Sequence, residues 1–265
     1  MVLTSVDDAA WHSPWRRRRV GEKLALSLGL ILTALLAPTW PGTLLVSIAA
    51  IVAILGCARI EPRVLALVMS APLAFILIGT LPIAVSIGWT GGQATDQILW
   101  QLGPLTMSVQ SLRTALRIFA HSIAGTLSIM VLATTTPMVD LITWLRNVHV
   151  PDALLEIASL TYRLLFILLE SGLAIRQAQL NRLADYPGGG TAGFKNRIRA
   201  AGQAMSAIMV RAWSRSARLD QGLANRGYES ALVTLPIYRP RSWKLIGGTA
   251  ACLAAIWTIS ILVTQ

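Results

Sequence analysis

"VRAWSRSARLDQGLANRGY", residues 210–228, is polar and rich in arginine, although it lies inside a chain that is 54% hydrophobic and only 13% charged. At 100° per residue, Arg211, Arg215, Arg218 and Arg226 fall within an arc of roughly 80°, so they share one face of a helix. Val210, Trp213, Ala217 and Ala224 fall on the opposite side, at roughly 200° to 260° from Arg211, and are expected to pack. Asp220, on that same side, does not fit this scheme unless it pairs with another helix. Arg226-Gly227 is a natural stop for such a helix, because glycine adopts the left-handed conformation that ends one.

Working outward, this helix belongs to a stretch too polar to cross a bilayer and too long for a simple loop, which makes it a domain of its own, residues 137–242. Within it a short helix over about 138–147 precedes a break at Asn147–Pro151. A long helix starts near Asp152, where an acid beside Pro151 suits a helix start. "DYPGGGTAGFKN", residues 185–196, is a linker by its Pro and Gly content, and the second long helix runs from about Arg197 to Gly227. Arg163 and Glu170 lie about 20° apart on the first long helix and are expected to form a helix-to-helix ion pair.

The rest of the chain is apolar. Mean hydropathy is +0.61, too high for a soluble domain of this length. Runs at Leu24–Ala37, Thr43–Ala58, Val64–Ile87, Ile118–Thr134 and Leu245–Val263 predict about five transmembrane helices. The first two are short and meet in a turn at Pro38–Gly42. The fold class is therefore all-α: a polytopic membrane protein with an N-terminal cytoplasmic segment (1–23), four helices (24–136), the cytoplasmic insert (137–242) and a fifth helix (243–265). Pro72 and Pro82 are expected to kink the third span.

Charge sets the orientation. The net charge is +11, with 23 Lys and Arg. With the N-terminus inside, Arg16 to Arg19, Lys23, Arg59, Arg63 and every basic residue from Pro137 to Lys244 also lie inside. The outer segments, including a loop from about Ser86 to Leu105, then contain none. The basicity follows topology rather than nucleic-acid binding. Only Arg113 and Arg117 remain, in the outer half of the fourth span. There they either meet a partner subunit or snorkel to the interface. No cleavable signal peptide is read at the N-terminus. Cys57 and Cys252 are packing residues.

His12, His121 and His149 are scattered without ligand partners at short spacing, and each reads as an interfacial or hydrogen-bonded histidine. The phosphate-binding GxxxxGK[ST] pattern is absent, as are HExxH and a nucleophile elbow. The chain is expected to be no enzyme.

From about Trp15 onward the sequence resembles the transmembrane T component of energy-coupling factor transporters, most closely the cobalt-type CbiQ family. The resemblance is densest in "TTTP" (134–137), "VPDALLEIASLTYRLLFILLE" (150–170), "AQLNR" (178–182) and the opening stretch. It implies a coupling subunit that links ATP hydrolysis by two ATPase subunits to movement of a membrane substrate-binding subunit. ATP and Mg would be bound by those partners, with no cofactor on this chain. It also implies a multi-pass protein of the bacterial inner membrane, with a link to cobalamin biosynthesis. Cobalt is the implied substrate; nickel or a vitamin is the alternative, and a membrane anchor with a basic lipid-binding domain is the competing reading from composition alone.

Carried over residue by residue, the family's two docking motifs map to Ala178, Gln179, Asn181 and Arg182, and to Ala224, Asn225, Arg226, Gly227 and Tyr228. Leu183 stands where the first motif has a small residue, Asn225 where the second has alanine, and Ala217 where relatives carry an acid. Arg211, Arg215 and Arg218 either extend the docking face or meet lipid headgroups.

Overall fold

The computed structural model describes residues 2–36, 40–84, 86–87, 98–102, 105–181, 191–228 and 242–262. The chain divides into two compact units, Met1–Trp144 with Ile237–Gln265, and Leu145–Pro236.

The first unit holds α1 (Val2–His12), α2 (Val20–Leu36), α3 (Trp40–Ile51), α4 (Pro62–Ala84), α5 (Val109–Thr135), most of α6 (Met138–Arg146) and α9 (Trp243–Leu262). Among the described residues, four stretches are long and apolar enough to cross a membrane: Trp40–Cys57, Pro62–Ala84, Val109–Thr135 and Leu245–Leu262. The protein is thus an α-helical polytopic membrane protein, as expected. The first expected span, α2, is only 17 residues long and carries Glu22 in its first turn. The break before α3 is narrower than read, because Trp40, Pro41 and Gly42 already belong to its first turn. Proline is tolerated there, where backbone N–H groups have no partner in the helix.

α5 is the centre of the unit, packing against α1, α2, α3 and α4. The core interleaves Leu26, Leu30 and Ala34 of α2, Val46 and Ala50 of α3, Met69 of α4, Ala124, Leu127 and Val131 of α5, and Ile256 of α9. Small residues set the spacings. A methyl group at Gly29 would sit 2.6 Å from Leu253 Cδ1, so the Leu253 side chain of α9 packs directly onto α2 there and would have to shift for any larger residue. Ser27 Oγ donates to the Ser128 carbonyl at 2.7 Å, satisfying a buried hydroxyl between α2 and α5. α3 ends in a π-helical turn, Val52–Cys57, and Arg59, at φ 50°, reverses the chain into α4. α4 runs helical through both Pro72 and Pro82.

Two features were not legible beforehand. The N-terminal segment forms α1, which packs on α4 and α5, where Ala10 is fully buried. Between α4 and α5, the expected outer loop contains a small antiparallel sheet of β1 (Ser86–Ile87), β2 (Ile98–Leu102) and β3 (Leu105–Ser108), in the order β1-β3-β2.

The second unit contains α7 (Asp152–Asn181) and α8 (Thr191–Ala224). Gln179 Nε2 donates to the Ala200 carbonyl at 3.3 Å. A methyl group at Gly172 would come 3.3 Å from Ile208 Cδ1. Later residues of α7 thus meet earlier residues of α8, and the two form an antiparallel hairpin.

Candidate functional site

The end of α8 is built by its backbone. Gly227 has φ +69°, the left-handed conformation. The Tyr228 N–H donates to the Leu223 carbonyl at 3.1 Å and the Gly227 N–H to the Ala224 carbonyl at 3.1 Å. This pair of bonds is a Schellman motif, which satisfies carbonyls that a helix end otherwise leaves bare. Arg226 is therefore the C-cap residue and is exposed. Its cation stands at the negative end of the helix, a favourable place for it. A methyl group on Gly227 would meet nothing within 4 Å, so the requirement for glycine is conformational alone.

Tyr228 does more than pack. Its hydroxyl donates to Glu156 Oε1 near the start of α7, fixing the α8 tip to the base of its partner helix. A carboxylate acceptor makes this bond stronger than a neutral one. Glu156 was invisible as a site residue, because 72 residues separate it from Tyr228. α7 itself starts with a pair, Arg146 Nε to Asp152 Oδ1 at 3.0 Å. Tyr162 and Phe166, one turn apart, stack edge-to-face with centroids 5.0 Å apart.

At the other end of the hairpin, Ala178 and Asn181 are exposed, whereas Gln179 turns toward α8 through its bond to Ala200. Arg182 and Leu183 lie outside the described residues. The two motifs are thus not brought together. From Glu156, where Tyr228 is held, to Asn181 the helix rises about 40 Å at 1.5 Å per residue.

The wheel misassigned the packing side of α8. Val210 and Trp213 are 63% and 77% exposed, and Ala217 and Ala224 are exposed too. Ala200 and Ile208, which meet α7, fall at roughly 340° and 60° from Arg211, on the arginine side. The physical reason is that α8 meets α7 where Ile208 packs on Gly172 and Gln179 bonds to the Ala200 carbonyl, and the other large apolar side chains are left to form a second face. Phe194, Ile198, Met205, Met209 and Trp213 form an exposed stripe along α8. Arg211, Arg215 and Arg218 are exposed as well, in keeping with long stems that carry their charge outward. Asp220, Arg163 and Glu170 are also exposed, and none of them forms a salt bridge among the described residues. Solvent serves these charges better than a helix interface would.

In the membrane unit, Arg113 and Arg117 are exposed one turn apart on α5. With Trp40 and Thr114 they line an open groove of about 310 Å3. His12 Nδ1 lies 2.8 Å from the Asp8 carbonyl and His121 Nδ1 2.9 Å from the Arg117 carbonyl. Both are hydrogen-bonded histidines, as the sequence suggested. No group of three or more His, Cys, Asp or Glu is gathered among the described residues.

A bundle of helices long and apolar enough to cross a membrane, in a chain that also carries a helical hairpin, defines a class: an all-α polytopic membrane protein. The model of the CbiQ family, "Cobalt transport protein", matches residues 12–235, and the chain belongs to that family. It is 34% identical over 263 residues to the cobalt transport protein CbiQ of Rhodobacter capsulatus, covering 99% of this chain and all of that one. It is 28% identical to the CbiQ of Salmonella typhimurium, over 82% of this chain and 96% of that one. A putative fused cobalt transport protein CbiMQ of Methanocorpusculum labreanum is 27% identical over 86% of this chain, which spans only 37% of that protein.

Proposed function

We propose that the chain is the transmembrane coupling subunit of an energy-coupling factor importer for cobalt ions. In this reading it sits in the bacterial inner membrane with its N-terminus in the cytoplasm, does no chemistry itself, and works with two ATPase subunits that bind ATP and Mg. The observation that carries the reading is the α8 tip, where a Schellman turn and the Tyr228–Glu156 bond hold Arg226 at an exposed helix end. A pre-ordered arginine of this kind suits bidentate recognition of a carboxylate in a partner's groove.

The separation of the two motifs adds support. Sites about 40 Å apart cannot serve one small groove, but they suit two partner subunits side by side. Closure of an ATPase dimer would then act on both ends of one rigid hairpin. The exposed apolar stripe of α8 is a surface that a membrane-embedded substrate-binding subunit could cover. Cobalt follows from the names of the relatives, and the fused relative supports work alongside a second transport component.

The test is co-purification from detergent with candidate ATPase subunits, comparing wild type with Arg182→Glu, Arg226→Glu and the double variant. Retention by wild type and loss by the double variant, with helicity unchanged, supports coupling. An ATPase dimer that stays bound to the double variant removes the arginine tips from the mechanism. Unchanged uptake of labelled cobalt in cells lacking the chain would remove cobalt as the substrate.

A further inference from the structure

Three consecutive residues at the start of α2, Gly21-Glu22-Lys23, touch the three elements through which the chain leaves and re-enters the membrane unit. Lys23, fully buried, donates from Nζ to the Thr135 carbonyl at 2.7 Å. Thr135 is the last residue of α5, inside the "TTTP" stretch, and its carbonyl is one that a helix end leaves without a partner in the helix. Glu22, also buried, accepts through Oε1 from the Ser242 N–H at 2.8 Å. Ser242 is the residue from which α9 starts, since its carbonyl accepts from Leu245 and Ile246. At Gly21 a methyl group would lie 3.2 Å from Nε1 of Trp144, the last residue of the membrane unit before the hairpin. Arg18 adds a bond from Nη1 to Ser242 Oγ.

The signs of the charges match the ends they hold. An ammonium sits at the negative C-terminus of α5 and a carboxylate at the positive N-terminus of α9, each the favourable arrangement. Glu22 Oε2 is buried with no hydrogen-bond partner among the described residues. Burying a charge that is not fully satisfied is unfavourable. Plain packing would be served better by an apolar residue there.

We propose that Gly21, Glu22 and Lys23 form a latch that clamps the outgoing end of α5 and α6 to the returning end of α9, so that both connections to the hairpin move as one body. Without it, a pull on the hairpin could displace the end of α5 or the start of α9 alone. With it, displacement passes into α2 and the bundle core. These are positioning residues, and their role in transport rests on the coupling function proposed above.

The test has two arms, using Glu22→Ala and Lys23→Met, with Glu22→Gln as the conservative variant that keeps an acceptor. The first arm needs no partner: amide hydrogen exchange of the full chain in nanodiscs. The expected result is exchange about tenfold or more faster at Ser242 to Leu245 in Glu22→Ala and at Thr135 and Thr136 in Lys23→Met. Glu22→Gln should fall between Glu22→Ala and wild type, with the hairpin unchanged in all. The second arm is the assembled complex with its ATPases in proteoliposomes. There the variants should retain assembly and ATP hydrolysis, while cobalt taken up per ATP falls about tenfold. Exchange that is unchanged, or faster throughout the chain, overturns the latch. Normal uptake per ATP despite faster local exchange overturns its role in transmission. If wild type holds no ATPase, the proposed function fails and the exchange arm still decides the latch.

Discussion

Replacing Gly227 with alanine separates the two properties that glycine brings to a helix end. The structure leaves room for the methyl group, since nothing lies within 4 Å of it, so steric collision contributes no cost. What remains is the φ of +69°, a left-handed backbone that costs a residue with a Cβ about 1–2 kcal/mol. The Schellman turn should therefore open about 5 to 30 times more often. Gly222, one and a half turns earlier inside α8, is the internal control. A methyl group there also meets nothing, but the backbone is helical, so Gly222→Ala should stabilise α8 by about 0.5–1 kcal/mol. The two variants differ from wild type by the same methyl group and should move in opposite directions. Amide exchange of the peptide ending at Tyr228, on the full chain in detergent, reads this directly. The Tyr228 and Gly227 amides should exchange faster in Gly227→Ala and the α8 amides more slowly in Gly222→Ala. If docking uses the ordered tip, ATPase affinity should fall in Gly227→Ala by up to the factor by which the turn opens, and hold in Gly222→Ala. Equal exchange in the two variants refutes the account of the tip.

Three further outcomes follow from particular contacts. Tyr228→Phe removes the hydroxyl that meets Glu156 and should loosen the α8 tip by about 1–2 kcal/mol, less than full burial would give because both groups are partly exposed. Glu156→Ala should match it, and the double variant Tyr228→Phe/Glu156→Ala should add little in a double-mutant cycle read by exchange. Gly29→Ala places a methyl group against Leu253 Cδ1, the end of a half-buried side chain that can turn aside, and should cost about 1 kcal/mol or less in denaturant unfolding, the low end of overpacking. Asp152→Asn breaks the pair with Arg146, whose side chains are 32% and 60% exposed. It should change stability by less than about 1 kcal/mol in the same assay.

The spans were legible because the bilayer imposes a length and a polarity that composition alone reports. The end of α8 was legible because its Arg-Gly stop is a local signal; its start was not, since α8 begins at Thr191, inside the Gly-rich stretch read as a linker, and residues 185–190 of that stretch lie outside the described ones. The packing face of α8 was not, because a helical wheel ranks residues by size and polarity, and this contact is set by Gly172 and by a bond to the Ala200 backbone carbonyl instead. Nor was the role of Glu22 and Lys23, which looked like the ordinary charged border of a first span. Their partners, Ser242 and Thr135, are 220 and 112 residues away. Tyr228 was singled out from sequence, but its carboxylate partner required the antiparallel register of α7 and α8. The sheet between α4 and α5 lacked a signal because its strands are two, five and four residues long, too short for an alternation to register.

The central position of α5 bears on how the protein is made. α2, α3 and α4 enter the membrane before it, yet each packs against it. A nascent chain that has released only those three holds Leu30, Val46 and Met69 without the α5 side chains that cover them in the finished core. Insertion of this protein should therefore pass through an intermediate that resists lateral release from the translocon or needs a chaperone until residue 135 has emerged. Ribosome stalling placed before α5 should leave the early helices open to proteases, and stalling after it should not.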